Sequence, residues 1–145
     1  MNSNTIAAVI LTKNEAKHIE RCINSLKGVC DEVIVVDSFS TDNTCELAEK
    51  LGAKVYKNPW KNYATQFNYG VYHCNIQSEW IWRIDADEFL EGELGTAVKE
   101  AVSKCSNQVN GVYIRKRIDF MNRSLLHGGW YPSYHLKVFR RGHGD

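Results

Sequence analysis

Asp85 and Asp87 flank one small residue in the run Ile84-Asp85-Ala86-Asp87-Glu88. On an extended backbone, residues two apart point the same way, so both carboxylates can face one site. Two such charges repel unless a proton or a cation lies between them. Hard oxygen ligands suit Mg2+ or Mn2+, and one or two carboxylates completed by substrate phosphates is the usual way such an ion is held. A D-x-D alone is common on solvated turns. Here the apolar run Trp80-Ile81-Trp82-Arg83-Ile84 precedes it, which puts the pair at the carboxyl end of a buried strand, where open α/β sheets bind their ligands.

A second acid, Asp37, ends the apolar run Val33-Ile34-Val35-Val36 and faces the same rim. In the following Ser38-Phe39-Ser40-Thr41-Asp42, Ser40 or Thr41 is expected to cap a helix and Asp42 to complement its dipole. The first strand, residues 6–11, runs into Thr12-Lys13-Asn14-Glu15, whose T-x-x-E spacing predicts a capping box. Three strand ends therefore offer polar groups to one crevice.

The elements behind these residues follow from apolar spacing. Strands are predicted at 6–11, 33–37, 54–57 and 80–85. Helices are marked by Ile19, Ile23 and Leu26, by Leu47, Ala48 and Leu51, by Tyr63, Phe67, Val71 and Cys74, and by Leu94, Val98, Val102 and Cys105. Gly28 and Gly52 are natural stops. This alternation predicts an α/β fold, a mostly parallel sheet with helices on both faces. After Asn110 the pattern changes. Residues 112–118 and 134–140 alternate polar and apolar, which predicts a partial antiparallel addition at the C-terminal side. Between them lies Leu125-Leu126-His127-Gly128-Gly129-Trp130-Tyr131-Pro132. Trp130 and Tyr131 stand in this glycine-rich loop. Trp60, Trp80 and Trp82 read as core or rim packing, and Asn68, beside the apolar stripe of the third helix, as a hydrogen bond to a loop.

Composition narrows the class. The chain has 145 residues, 43% of them hydrophobic, and a net charge of +1. That excludes a disordered chain and a globally basic nucleic-acid binder. No run approaches the ~20 apolar residues of a membrane-spanning helix, and the 6–11 segment is too short for a signal-peptide core and has no basic leader. The five cysteines are scattered, with no CxxC pair, and read as reduced cytoplasmic thiols. The near-neutral total hides an asymmetry. Residues 1–109 hold 11 basic and 15 acidic groups, whereas residues 110–145 hold seven basic groups against Asp119 and Asp145. A basic segment of this kind is either a solvated edge or a surface facing phosphates, on a substrate or a membrane.

Taken together, Thr12-Lys13-Asn14-Glu15, Val35-Val36-Asp37-Ser38 with Ser40-Thr41-Asp42, Gln66-Phe67-Asn68, and Trp80 through Asp85-Ala86-Asp87-Glu88 resemble family 2 glycosyltransferases of the GT-A fold. His127 through Pro132 and Leu136 through Gly142 resemble the lipopolysaccharide core subgroup. The resemblance implies an inverting transfer from a UDP-sugar (glucose in the subgroup) to a lipid-linked or phosphorylated glycan acceptor, assisted by Mg2+ or Mn2+. It implies nucleotide-sugar contacts from Thr12, Asn14, Glu15, Asp37, Asn68 and Asp85, a metal held by Asp87 and Asp85, and acceptor contacts from Glu88, Trp130 and Tyr131. The nucleotide-sugar and metal part would be 1–109, and 110–145 would begin the acceptor part. The protein would be cytoplasmic, its basic C-terminal part meeting the inner face of the plasma membrane. Two positions depart from the family pattern: Ser38, where many members carry a second Asp, and Phe39, where a glycine is usual.

Inversion needs a general base to take the acceptor hydroxyl's proton. The resemblance places it just beyond Leu136–Gly142, so the expectation is that it lies past Asp145 and that the domain is cut short. The competing expectation is a nucleotide-sugar-binding domain without turnover. A phospho-receiver is excluded, because it needs clustered acids where this chain has Thr12-Lys13-Asn14. No Gly-rich phosphate loop follows the first strand either.

Overall fold

The computed structural model describes residues 5–90, 93–104, 111–116, 119–120, 123–124 and 133–141. The element order is β1 (Ile6–Thr12), α1 (Ala16–Ser25), β2 (Glu32–Asp37), α2 (Thr44–Lys50), β3 (Lys54–Lys57), α3 (Tyr63–His73), β4 (Trp80–Asp85), α4 (Leu94–Lys104), β5 (Gly111–Lys116), β6 (Asp119–Phe120), β7 (Arg123–Ser124) and β8 (Ser133–Arg140). The expected alternation is met, with element ends shifted by a few residues.

Six strands form one sheet in the order β3-β2-β1-β4-β8-β5, and β6 and β7 form a small ladder of their own. β1 to β4 are mutually parallel. β8 is antiparallel to both of its neighbours, β4 and β5, so it runs against the rest of the sheet. The predicted antiparallel addition is therefore present, but it extends the main sheet and is not a separate layer.

Apolar alternation decides how the sheet is covered. Ile6, Ala8 and Ile10 of β1 join Ile19, Cys22 and Ile23 of α1, Ala48 of α2 and Val98 and Val102 of α4 in one core. Ala7 and Val9 point the other way and join Phe67 and Val71 of α3 with Ile34, Val36 and Ile81. Every residue from Ile6 to Ile10 is at most 1% exposed, as expected for a parallel strand covered on both faces. Trp80 and Trp82 are core residues, whereas Trp60 stands on the surface, 55% exposed.

The chain leaves β1 outward through β2 and β3, then returns to place β4 on the other side of β1. Strand order reverses between β1 and β4, and such a switch point opens a crevice at the carboxyl ends of the strands. Register fixes what lines it: Thr12 pairs with Asp37 and Leu11 with Asp85.

Two capping expectations need correction. Thr12 and Glu15 form no capping box, because Thr12 is still the last residue of β1 and Glu15 is itself the residue preceding α1, with no side-chain cap bond; the Thr12 hydroxyl donates to Asp37. Ser40 and Thr41 do not cap α2, which begins at Thr44. Asp42 accepts the Thr44 amide at 3.0 Å and the Ala16 amide at 3.2 Å, serving the starts of α2 and α1 together.

Candidate functional site

The rim at the ends of β1 and β2 is built around one carboxylate. Asp37 is fully buried. It accepts hydrogen bonds from Thr12 Oγ1 at 2.6 Å, Ser40 Oγ at 2.6 Å and the Ser40 amide at 2.7 Å. Burial alone would raise its pKa. The hydrogen bonds from Ser40 and Thr12 outweigh burial and hold the group below its ordinary value, as a carboxylate. Thr12 and Asp37 both lie beneath the surface and join the turn after β1 to the turn after β2.

These two turns each carry one residue in left-handed backbone, Asn14 after β1 at φ 55° and Phe39 after β2 at φ 60°. Asn adopts this conformation readily, but a bulky aromatic is a real outlier. The surroundings over-determine it. Lys13 Nζ donates to the carbonyls of Ser38 and Phe39 at 3.1 and 2.9 Å. Asn14 Oδ1 accepts from the Thr41 amide at 2.7 Å, and the Asn14 amide donates to Ser40 Oγ at 2.8 Å. The Glu15 amide donates to Thr44 Oγ1 at 2.9 Å. Phe39 thus keeps the turn that a glycine would make, and it presents an aromatic ring 51% exposed at the rim.

Across the switch point, β4 delivers the acidic turn. Asp85 is half-buried, Ala86 buried and Asp87 exposed. The Asp85 amide donates to Glu88 Oε1 at 2.7 Å, and the Glu88 amide donates back to the Asp85 carbonyl at 2.9 Å. Glu88 therefore closes the turn, and no helix starts there. Helix α1 holds the same turn from behind. Cys22 Sγ donates to the Asp85 carbonyl at 3.7 Å, Arg21 to the Asp87 carbonyl at 3.5 Å, and the Leu90 amide donates to Ser25 Oγ at 3.0 Å. The Arg21 guanidinium also lies 4.1 Å from the centre of the Phe89 ring. Burial, reinforced by the charges of Glu88, Asp85 and Asp87, pushes the Cys22 thiol up to about 12. It is a buried donor and no nucleophile.

From α3, the Tyr63 hydroxyl donates to Asp85 Oδ1 at 3.5 Å. Burial and the Asp85 charge push this phenol up to about 12, with Arg83 opposing. Gln66, also fully buried, donates to Ser38 Oγ and to the Asn58 carbonyl, both at 3.0 Å, and accepts from Asn58 Nδ2 at 2.9 Å. The loop-binding role expected of Asn68 thus belongs to Gln66, and Asn68 sits half-buried on α3. Trp130 and Tyr131 lie outside the described residues.

The donor set at Asp85 and Asp87 is all oxygen, which fits a hard divalent cation. Among the described residues no three His, Cys, Asp or Glu side chains converge to hold a metal. An ion here would complete its shell from phosphate and water, as Mg2+ commonly does.

A family model described as Glycosyl transferase family 2 matches residues 7–143. The chain belongs to glycosyl transferase family 2. Among its relatives, an uncharacterized glycosyltransferase of Rickettsia bellii is 45% identical over 119 residues, which make up 82% of this chain and 40% of that protein. A lipopolysaccharide core biosynthesis glycosyltransferase of Rhizobium meliloti is 28% identical over 144 residues, covering 96% of this chain and 52% of its own length. The chain thus spans between 40% and 52% of the length of these two relatives. Among solved structures, a mannosyltransferase of Pyrobaculum calidifontis in complex with GDP-Man and Mn2+ is similar at a TM-score of 0.59 and 22% identity, over 73% of this chain and 34% of that one. Mannosyl-3-phosphoglycerate synthase from Rubrobacter xylanophilus is similar at 0.55 and 22%, over 62% and 33%. These likenesses establish the GT-A fold expected from the motifs.

Within this family 2 domain, sequence reasoning missed Tyr63 and the α1 side chains that hold the acidic turn. Tyr63 carried a readable signal. It is four residues before Phe67, so the two rings share a helix face, and it follows Asn62, whose side chain accepts from the Thr65 amide at 2.8 Å as a helix cap. Arg21, Cys22 and Ser25 carried none, because their partners are backbone atoms more than 60 positions away.

Proposed function

We propose that this chain is the donor-binding part of an inverting, metal-assisted glycosyltransferase that uses a UDP-sugar. The observation that carries the reading is the Asp85-Ala86-Asp87 turn at the carboxyl end of β4, held against the β1–β4 switch point by Glu88 and α1. Asp85 and Asp87 would hold Mg2+ or Mn2+ beside the diphosphate. A divalent ion bound there neutralises charge on the departing nucleotide. Thr12 and Asp37 would shape the floor of the nucleotide pocket by joining the two turns that carry Asn14 and Phe39, and Glu15 and Asn68 belong to its surroundings.

The acceptor is proposed to be a lipid-linked or phosphorylated surface glycan of the lipopolysaccharide-core type. The net positive charge of residues 110–145 supports an anionic acceptor or a membrane surface beside it. Among the described residues no helix is long and apolar enough to cross a membrane, so contact with the inner face of the plasma membrane would be peripheral. Glu88, Trp130 and Tyr131 are the proposed acceptor contacts.

Calorimetric titration of UDP into the chain, with Mn2+ and then with EDTA, tests the reading. Binding that needs the metal and is lost in Asp87→Ala is the expected result. Binding indifferent to metal, or unchanged in Asp87→Ala, overturns it.

A further inference from the structure

Tyr63 joins two parts of the molecule that its sequence position does not suggest. It opens α3, and its direction is set by its neighbours on that helix. Asn62 caps the helix, and Gln66, one turn on, is fully buried and bonded to Ser38 and Asn58. The ring lies parallel to Phe67 at 6.4 Å and 6° between planes, and Phe67 packs edge-on against Phe139. The Arg83 guanidinium sits 5.8 Å from the Tyr63 ring centre. A phenylalanine would make every one of these contacts. What tyrosine adds is the hydroxyl, whose partner is Asp85 Oδ1 at 3.5 Å.

We propose that Tyr63 is a positioning residue for donor binding: its hydroxyl holds Asp85 Oδ1 and so fixes the rotation of the carboxylate that the donor and its metal ion meet. The inference rests on the reading of Asp85 and Asp87 as the donor and metal site. A carboxylate on a single bond rotates, and a free one presents its oxygens in many directions. A hydrogen bond from a second residue restricts that freedom before the ligand arrives, and partners of this kind commonly change metal affinity about 10- to 100-fold. Tyr63 suits the task because its ring lies along Phe67 and beside Arg83 at the rim, 41% exposed, where the hydroxyl reaches Asp85.

Tyr63→Phe separates this role from packing. UDP affinity in the presence of Mn2+ is expected to fall about tenfold, while the thermal midpoint stays at the value of the unsubstituted chain. Affinity in Mn2+ equal to that of the unsubstituted chain overturns the proposal and leaves the donor-site reading standing. A loss in Mn2+ accompanied by a lowered midpoint also overturns it, because the hydroxyl would then serve the fold. An unsubstituted chain that binds no UDP overturns the donor-site reading and this proposal with it.

Discussion

Thr12 Oγ1 donates to Asp37 Oδ1 at 2.6 Å, and the two residues are register partners on the parallel strands β1 and β2. Sheet register thereby becomes site geometry, because the backbone ladder that aligns the strands also brings the hydroxyl to the carboxylate. Ser40 closes the arrangement from the following turn with both its amide and its hydroxyl. The result is a buried charge that stays charged, since its water has been replaced by donors from Thr12, Ser40 and Cys45.

Stability should therefore depend on the ionisation of Asp37. Its folded pKa lies below the ordinary 3.8, so the unfolded chain binds its proton first as pH falls. The stabilisation is present in full above the unfolded value and is lost as pH drops below about 4 and through the folded pKa. Asp37→Asn is expected to cost about 2 kcal/mol at pH 7, the scale of hydrogen bonds to a charged group, and to remove this share of the acid sensitivity. Urea unfolding of the parent and substituted chains at pH 7 and at pH 3 measures it. Unchanged stability of the Asp37→Asn chain at pH 7 would contradict the account.

Phe39 holds a left-handed backbone that costs a residue bearing Cβ roughly 1–2 kcal/mol. Phe39→Gly releases that strain, but it adds unfolded-state freedom worth about 0.5–1 kcal/mol. The net expectation is a gain of roughly 0.5 kcal/mol. Phe39→Val, branched at Cβ, should fall below the parent chain. The order Gly, Phe, Val in urea midpoint is the readout, and a Val chain matching the Gly chain would mean that the turn is not left-handed in solution.

How far the sequence foretold this site depends on the range of the interactions. β1, β2 and β4 were legible because burial on both faces writes continuous apolar runs, and Asp37 and Asp85 were legible because each ends such a run. The roles of Ser40 and Thr41 were misassigned for a physical reason. Side chains of this kind cap the nearest helix by default, and only the pairing of β1 with β2 brings Asn14 within their reach. Gln66 stood in a recognised motif, but its partners Ser38 and Asn58 come from two other loops. The hold of α1 on the acidic turn depends wholly on the distant juxtaposition of α1 and β4.

Glu88 supports the acidic turn through one oxygen on the Asp85 amide. Glu88→Gln keeps an acceptor there, whereas Glu88→Ala leaves the amide without it. Metal-dependent UDP affinity should fall severalfold in the Ala chain and stay close to the parent in the Gln chain, measured by calorimetry. Equal losses in both would assign Glu88 to direct ionic contact with the ligand instead.

The seat of α3 on the sheet should respond to a single methyl group at Gly70. A Cβ there would stand 2.8 Å from Val9 Cγ1 and 3.0 Å from Val36 Cγ2, closer than ordinary van der Waals contact. Both valines are fully buried in the core that α3 shares with β1 and β2, so neither can swing away. Alanine improves helix propensity by about 1 kcal/mol over glycine, and overpacking a tight core costs about 1–3 kcal/mol. The expected balance for Gly70→Ala is a net loss of about 1 kcal/mol in urea unfolding. Val36→Ala alone should also destabilise, by opening a cavity. The pair together should cost about 1 kcal/mol less than the two losses added, because each change relieves the other. Strict additivity would show that α3 shifts on the sheet to make room. Since Gln66 and Tyr63 ride on the same helix, such a shift would also appear as weaker metal-dependent UDP binding in the Gly70→Ala chain.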